Sequence, residues 1–272
     1  MVRYIKLYFV YISRSIQARL EYKADAFIGI FSFLLTNVCS IFALAVMIQS
    51  INTLDGWNMY MLGFLYGMVM LVKSIDHLFT DALWFIGYWY IPQGKLDKHL
   101  VRPVHPLFQI IAETIQFEAL GELILGVLLI SICGTNIEIS WDFSKVFLMI
   151  ICLTFGSGVI TGLKLITSSI ALWTKRSGQV MSVVYGFSDC AKYPMSIFKY
   201  AKGVSIFLLF IVPFGLIMSV PVEYIIFGTA SFLPFNSVYG LIGTIVLSCI
   251  FFVTIGVSLF NLGLKCYESV GN

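Results

Sequence analysis

Six runs of mostly apolar residues, each close to twenty residues or longer, dominate the chain at about 24–50, 57–80, 110–133, 143–173, 204–220 and 238–264. A helix of about 20 residues crosses roughly 30 Å of hydrocarbon, so each run predicts a transmembrane helix. Backbone amides inside a bilayer must be paired internally, which leaves helices or a closed barrel. Long unbroken runs, in place of short alternating strands, select helices. The expected fold is therefore an all-α integral membrane protein of about six spans, with the fourth run long enough to tilt or project beyond the bilayer. Ahead of the first span, Ile5, Tyr8, Phe9, Ile12, Ile16 and Leu20 recur at helical spacing, and Arg3, Lys6, Arg14 and Gln17 lie largely off that stripe. This pattern predicts an amphipathic helix over 1–23 lying in the membrane interface. A soluble basic leader is the alternative. The segment does not resemble a cleavable signal, because its apolar core comes late, is too long and lacks a small-residue exit site.

Composition agrees with the pattern: 59% of residues are hydrophobic and only 11% charged, less than half the usual charged share of about 25%. Placement of the basic residues gives the orientation. Arg3, Lys6, Arg14, Arg19 and Lys23 precede the first span. Lys95, Lys98 and Arg102 separate the second from the third; Lys175, Arg176, Lys192, Lys199 and Lys202 separate the fourth from the fifth; Lys265 follows the sixth. On the opposite side stands Lys145, while Lys73 and Lys164 fall within or at the edge of spans. Both termini are expected in the cytoplasm. The six cysteines are scattered singly, which fits packing residues better than a disulfide framework or a metal site.

The loops narrow the candidates for function. Outer loops at 51–56 and 134–142 are too short for a receptor or catalytic domain. The stretch 221–235 is apolar, carries Glu223 and is bounded by Pro221 and Pro234, with Gly228 offering a break. That length is too short to span and predicts a re-entrant or interfacial segment, and Pro213 would bend the helix before it. Between the second and third spans, Trp84, Phe85, Tyr88, Trp89 and Tyr90 predict an aromatic interface belt. Gly94 then breaks the chain, 95–101 can form a short helix, and Pro103 and Pro106 end it. Such a short charged helix could receive force from a soluble partner, or it could be an ordinary basic topological loop.

At these residues the chain resembles permease subunits of ATP-binding-cassette exporters of the second permease class, and more narrowly a bacterial subgroup with a separate ATPase and often a paired permease. The resemblance rests on GKLDKHLVRPVHPLFQ at 94–109, AKYPMSIF at 191–198, and IVPF with its following proline at 211–221, together with the six-span layout and amphipathic leader. It implies a half-transporter in the bacterial cytoplasmic membrane that pairs with a second permease, the same chain or a homologue, and with two copies of an ABC ATPase. By the same resemblance, 1–23 is a connecting helix and 24–272 the transmembrane domain. A coupling segment at about 94–106 would dock on the ATPase through Lys95, Leu96, Asp97, Lys98, His99, Leu100 and Arg102. Residues 221–235 would form outer re-entrant helices that close the exit side. The long connection at 174–202 departs from the pattern, and part of it, such as 180–187, could pack in the membrane. No GxxxxGK[ST] occurs in the chain. ATP and magnesium are thus expected on the partner, with no cofactor or metal bound here, no nucleic acid partner, and membrane lipid as the surrounding contact.

Ionisable residues inside a membrane need partners. Glu118 and Glu122 are spaced to share a helix face. Counted from position 110, Glu118 is about 12 Å deep, and Lys164, counted back from Trp173, about 13 Å. Lys164 is accordingly expected to pair with Glu118 or Glu122, either as a static pair that fixes helix register or as a substrate or proton site. Lys73 and Asp76 form an i, i+3 pair near His77 and Asp81, and Gly63/Gly67 and Gly158/Gly162 permit close helix contact within the chain or at a dimer seam. The leading function is export of an amphipathic or hydrophobic substrate. Alternatives are a stand-alone secondary transporter, for which paired broken helices are missing; a membrane enzyme, for which clustered catalytic groups are missing; and a non-transporting assembly or immunity protein.

Overall fold

The computed structural model describes residues 2–21, 23–51, 56–230, 232 and 237–269. Among these the chain is helical throughout, without a β-strand. The elements are α1 (Val2–Glu21), α2 (Lys23–Ile51), α3 (Met59–Thr80), α4 (Asp97–Leu100), α5 (Pro106–Glu113), α6 (Ala119–Thr135), α7 (Phe143–Ile151), α8 (Ser157–Ser169), α9 (Ala171–Thr174), α10 (Gly178–Gly186), α11 (Lys202–Ile206), α12 (Val220–Phe227) and α13 (Val238–Cys266). Polar residues start α3 and α7 where the apolar pattern begins. Asn58 accepts from the Met61 N–H at 2.9 Å ahead of α3, and Asp142 accepts from the Lys145 N–H at 2.8 Å ahead of α7. Each bond satisfies one of the donors that a helix start leaves open.

Three helical stretches among the described residues are long and apolar enough to cross a membrane: Met59–Tyr90, Phe143–Thr174 and Val238–Cys266. A fourth is counted if Lys202–Ile211 and Gly215–Phe227, bent by 79° at the break between them, are one span. Phe27–Ala43 and Ala119–Thr135 are shorter apolar helices. α3, α8 and α13 run parallel to one another, and α6 runs antiparallel to α3, as the order of their contacts shows. Gly63 faces Cys133 while Gly67 faces Gly126; Gly158 faces Cys249, Gly162 faces Phe252, and Gly263 faces Leu172. Both small-residue pairs therefore pack within the chain, Gly63/Gly67 against α6 and Gly158/Gly162 against α13. All six cysteines are free; Cys133 and Cys249 supply two of these contacts and Cys152 is buried, whereas Cys39 and Cys266 are exposed.

Four expectations change. First, residues 81–90 do not lie in a loop: Asp81–Leu83 is a 3-10 turn and Ile86–Tyr90 a π-type turn, and together they prolong α3 to Tyr90. Second, the expected third span is broken. α5 ends at Glu113, Thr114 is extended, and α6 begins only at Ala119. Tertiary partners take the backbone donors in between, since the Ile115 N–H donates to the Ser15 hydroxyl at 3.5 Å and the Gln116 N–H to the Leu78 carbonyl at 3.3 Å.

Third, the bend expected at Pro213 is present, but the stretch that follows it is placed differently. Pro213 has no N–H and its ring fixes the backbone, so the 79° bend falls at 212–214, while Pro221 sits inside α12, in its first turn after a π-type stretch. Gly228 ends α12 in the left-handed conformation (φ 72°), and Glu223 is buried. Pro234 lies outside the described residues. Fourth, the 174–202 connection returns into the bundle. Lys175 turns the chain (φ 66°), and α10 with the 3-10 turn Phe187–Lys192 then runs along α3. Tyr88 meets Ser182 at 2.6 Å, His77 meets Tyr185, Lys73 meets Asp189 at 3.3 Å, and the Lys192 amine lies 5.5 Å from the Tyr66 ring. Lys192, expected in a cytoplasmic loop, is instead beside Tyr66, roughly 20 Å along α3 from Thr80. The apolar stretch in this segment is too short to register as a span, and its polar residues are accommodated one at a time by α3.

α1 docks through Tyr4 and Tyr8, whose rings pack on Phe108 at 5.1 and 6.4 Å, and leaves Ile5, Phe9 and Ile16 exposed. One side of the helix thus meets the protein and another remains apolar and open.

The closest helix approach makes a prediction. A Cβ on Gly162 would lie 2.7 Å from the Phe252 backbone, which no side-chain rotation relieves. Gly162→Val should destabilise the α8–α13 pair by about 1–3 kcal/mol, whereas Gly243→Ala, which meets nothing within 4 Å, should leave stability unchanged or slightly raised. Thermal unfolding of the two variants in detergent measures the difference.

Candidate functional site: a buried ionic cluster and an exposed short helix

The polar residues of α3 recur at helical spacing, so Lys73, Asp76, His77, Thr80 and Asp81 form a patch between α6, α8 and α10. α8 supplies Lys164, whose side chain is 2% exposed. Its ammonium lies 2.6 Å from Asp76 Oδ2 and 2.8 Å from Asp81 Oδ1. The Thr80 hydroxyl donates to Asp76 Oδ1 at 2.6 Å, and Thr161 reaches the same oxygen at 3.4 Å. Gln116, from the break between α5 and α6, donates to Asp81 Oδ2 at 3.3 Å. The rings of Tyr185 and Trp84 stand 5.2 and 5.9 Å from the ammonium and present their electron-rich faces to it.

Beside this group runs a hydrogen-bonded chain: the Tyr185 hydroxyl meets His77 Nε2 at 2.5 Å, and His77 Nδ1 meets Glu122 Oε2 at 2.8 Å. With a neutral imidazole, both bonds are satisfied when Tyr185 donates to Nε2 and Nδ1–H donates to the carboxylate. Four elements thus converge on one polar interior: α3, α6, α8 and α10. A second, more exposed trio follows along α3, where Lys73 and Lys192 both approach Asp189 Oδ1, at 3.3 and 2.9 Å.

The expected pairing of Lys164 with Glu118 or Glu122 is not made. The break at 114–118 invalidates a depth counted continuously from position 110. Glu118 now stands at the start of α6 against α2, where a Cβ on Gly29 would lie 2.6 Å from its Cγ, and Glu122 belongs to His77. The expected Lys73–Asp76 pair is replaced as well, Lys73 going to Asp189 and Asp76 to Lys164. Asp76, Asp81 and Tyr185 were missed as partners of Lys164. A usable signal was present: once α3 is continued to Tyr90, Asp81 lies about 14 Å from that end and Lys164 about 15 Å from Thr174. His77 bridges two side chains, and among the described residues no group of three or more His, Cys, Asp or Glu is placed to hold a metal ion.

Beyond Tyr90 the chain turns at Gly94 (φ 66°) into the four-residue helix α4. The seven residues singled out here divide into two sets. Leu96 and His99 are fully buried behind the helix, and Asp97 accepts from the Tyr267 and Ser269 hydroxyls at 3.1 and 2.5 Å. Gln109 clamps the turn from α5, donating to the carbonyls of His99 at 2.9 Å and Val104 at 2.6 Å, while Glu113 receives Lys98 at 3.1 Å. Lys95, Lys98, Leu100 and Arg102 face outward with Val101, which is 83% exposed. Arg102 also donates to the Tyr11 hydroxyl of α1 at 3.4 Å. The result is a basic tip with two apolar side chains at its crest, held rigidly from behind. Gln109 and Glu113, which do the holding, sit in what reads as the start of an apolar span and carried no signal of that role.

A helical bundle with long apolar helices and an internally paired ionic core defines a multi-pass membrane protein. Residues 34–271 match the family model described as ABC-2 family transporter protein, and the chain belongs to that family. It is therefore a permease of an ABC-type transporter, from a family that works with an ATPase subunit and is not itself catalytic. No curated protein and no solved structure matches the chain.

Two expectations follow. Lys164→Met strands two carboxylates in the interior and should cost about 3–5 kcal/mol, whereas Lys164→Met combined with Asp76→Asn and Asp81→Asn should recover much of that loss; thermal unfolding compares them. Burial holds the His99 imidazole below its ordinary value of 6.5, with Glu113 opposing the shift. The unfolded chain therefore takes up a proton near pH 6.5 before the folded one does, so His99 contributes stability above that pH and loses it as pH falls toward the lower folded value. Amide exchange over 96–104, corrected for intrinsic rates, should accelerate between pH 7 and pH 5, and His99→Gln should flatten the dependence.

Proposed function

We propose that this chain is the membrane half of an exporter in the bacterial cytoplasmic membrane, moving an amphipathic or hydrophobic substrate outward with energy from a partner ATPase. In this reading the six apolar runs are six spans, both termini are cytoplasmic, and α1 lies in the inner interface with Ile5, Phe9 and Ile16 toward lipid. Two copies of the ATPase, with ATP and magnesium bound to them, act on a pair of permeases, and this chain holds no cofactor of its own. The bent pair Lys202–Ile211 and Gly215–Phe227 supplies the re-entrant element toward the exit side.

One observation carries the proposal: a short basic helix with Leu100 and Val101 at its crest is clamped by buried Leu96 and His99 directly beneath a long apolar helix. An exposed apolar crest on a rigid mount suits a protein groove, since a partner that buries it pays little ordering entropy. A charged topological loop would need neither the clamp nor the crest. The broken helix at Pro213 and the buried Lys164 cluster also suit an ion-coupled carrier, which would transport without any ATPase; a non-transporting assembly or immunity protein would bind none and move nothing.

Co-purification with the products of its neighbouring genes, followed by an ATPase assay, separates these readings. Replacing the crest with Leu100→Asp and Val101→Asp should lower retention of the ATPase by about tenfold or more, as loss of a central apolar anchor does, while leaving the permease's own thermal unfolding unchanged. Equal retention by the crest variant would remove the coupling assignment, and ATP-independent transport would favour the carrier.

A further inference from the structure

The trio of Lys73, Asp189 and Lys192 has an unusual position for charged groups. Its level can be read on three helices. Val72, next to Lys73, packs on Gly156, which in turn packs on Ile217; two residues further on, Gly158 packs on Cys249. Lys73 lies about 21 Å from the Met59 end of its helix, Gly156 about 20 Å from Phe143, and Cys249 about 17 Å from Val238. In helices that cross roughly 30 Å of hydrocarbon, these levels are near the middle of the bilayer.

At that depth the Asp189 side chain is 62% exposed and that of Lys192 24% exposed, while Lys73 behind them is 9% exposed. Both ammonium groups share one carboxylate oxygen, and Glu122 acts on Lys73 from the neighbouring helix. A charged surface at mid-depth cannot face acyl chains at acceptable cost. A dry protein interface would strip water from the exposed Asp189 carboxylate, which needs further donors to offset that cost. Water satisfies both constraints; in the Lys164 cluster, by contrast, Lys164 and Asp76 are sealed inside the bundle and Asp81 stands 22% exposed at its edge.

We propose that Asp189 and Lys192 line a water-filled transport pathway, and that the polar headgroup of an amphipathic substrate travels past this face. This rests on the reading of the chain as a membrane permease and does not depend on the partner ATPase. The returning segment α10 and the turn Phe187–Lys192 would then form a wall of that pathway.

The test uses the full chain in membranes, in a Cys190→Ser background, carrying either Asp189→Cys or Lys192→Cys so that one variant suffices if the other fails to fold. Each is treated with the membrane-impermeant sulfonatoethyl methanethiosulfonate and, separately, with lipid-soluble N-ethylmaleimide, and the modified residue is identified by peptide mass spectrometry. The buried Cys152 serves as the unreactive reference in the same molecules. The expected result is modification by the impermeant reagent at least about tenfold faster than Cys152, because reaction needs hydrated thiolate. Modification by N-ethylmaleimide alone would show a thiolate with no route for the impermeant anion, and modification by neither would place the face in lipid or against protein; either result overturns the proposal. Labelling without any bound ATPase would leave the pathway standing and count only against the exporter assignment.

Discussion

One buried cation organises the bundle. Lys164 sits in an apolar interior where an unpaired ammonium is too costly to keep, and its two carboxylates both come from the neighbouring parallel helix. Asp76 and Asp81 are five residues apart, so they bracket the ammonium from above and below and resist sliding of α8 along α3. Tyr185 closes the third side and thereby fixes how far α10 enters the bundle. Exchange of this group for apolar residues need not reduce stability. What it gives is register, and register decides which residues of the returning segment meet Lys73 and Tyr66.

The irregular stretches follow from backbone donors as directly as the regular ones. At 114–118 side-chain and main-chain acceptors on α1 and α3 replace intrahelical bonds, so the helix yields to tertiary structure. At Pro213 the donor is absent and the break is intrinsic. Both interruptions lie against the ionic interior or next to the returning segment, where polar partners exist to satisfy freed backbone groups. In a membrane such breaks persist only under that condition.

What could be read from the sequence was set by the range of the interaction. The apolar runs, the stripe of α1, the turn at Gly94 and the bend at Pro213 depend on neighbours within a few residues, and each was legible. The Lys164 pairing was not, because its depth was counted through a helix that is broken and because α3 was ended ten residues early. For 178–192 the sequence left open a packing of 180–187 in the membrane, but its partners along α3 were hidden, since the segment is held by single contacts with distant residues. For the short helix α4, position and basic character were visible, but the division into anchors and crest was not. Alternation over four residues cannot show that His99 and Leu96 are gripped by Gln109 and by the body of the protein.

The two halves of the site are mechanically joined, and this bears on how a partner's motion would reach the membrane. α3 runs without a chain break from Asp76 through Asp81 to Tyr90, and the Tyr90 ring packs 5.2 Å from that of His99 in α4. The Tyr90 hydroxyl also donates to Glu113, which holds Lys98. A displacement of α4 therefore acts on two elements at once, the end of α3 and the end of α5. The 3-10 and π-type turns between Thr80 and Tyr90 are the weakest hydrogen-bonded part of that helix, and they lie between α4 and the carboxylates of Lys164. Strain applied at α4 would concentrate there. Trp84 and Tyr88 of this stretch touch Tyr185 and Ser182 of the returning segment, so a movement of 81–90 would also act on 178–192, while the Lys164 cluster holds α3 and α8 in register.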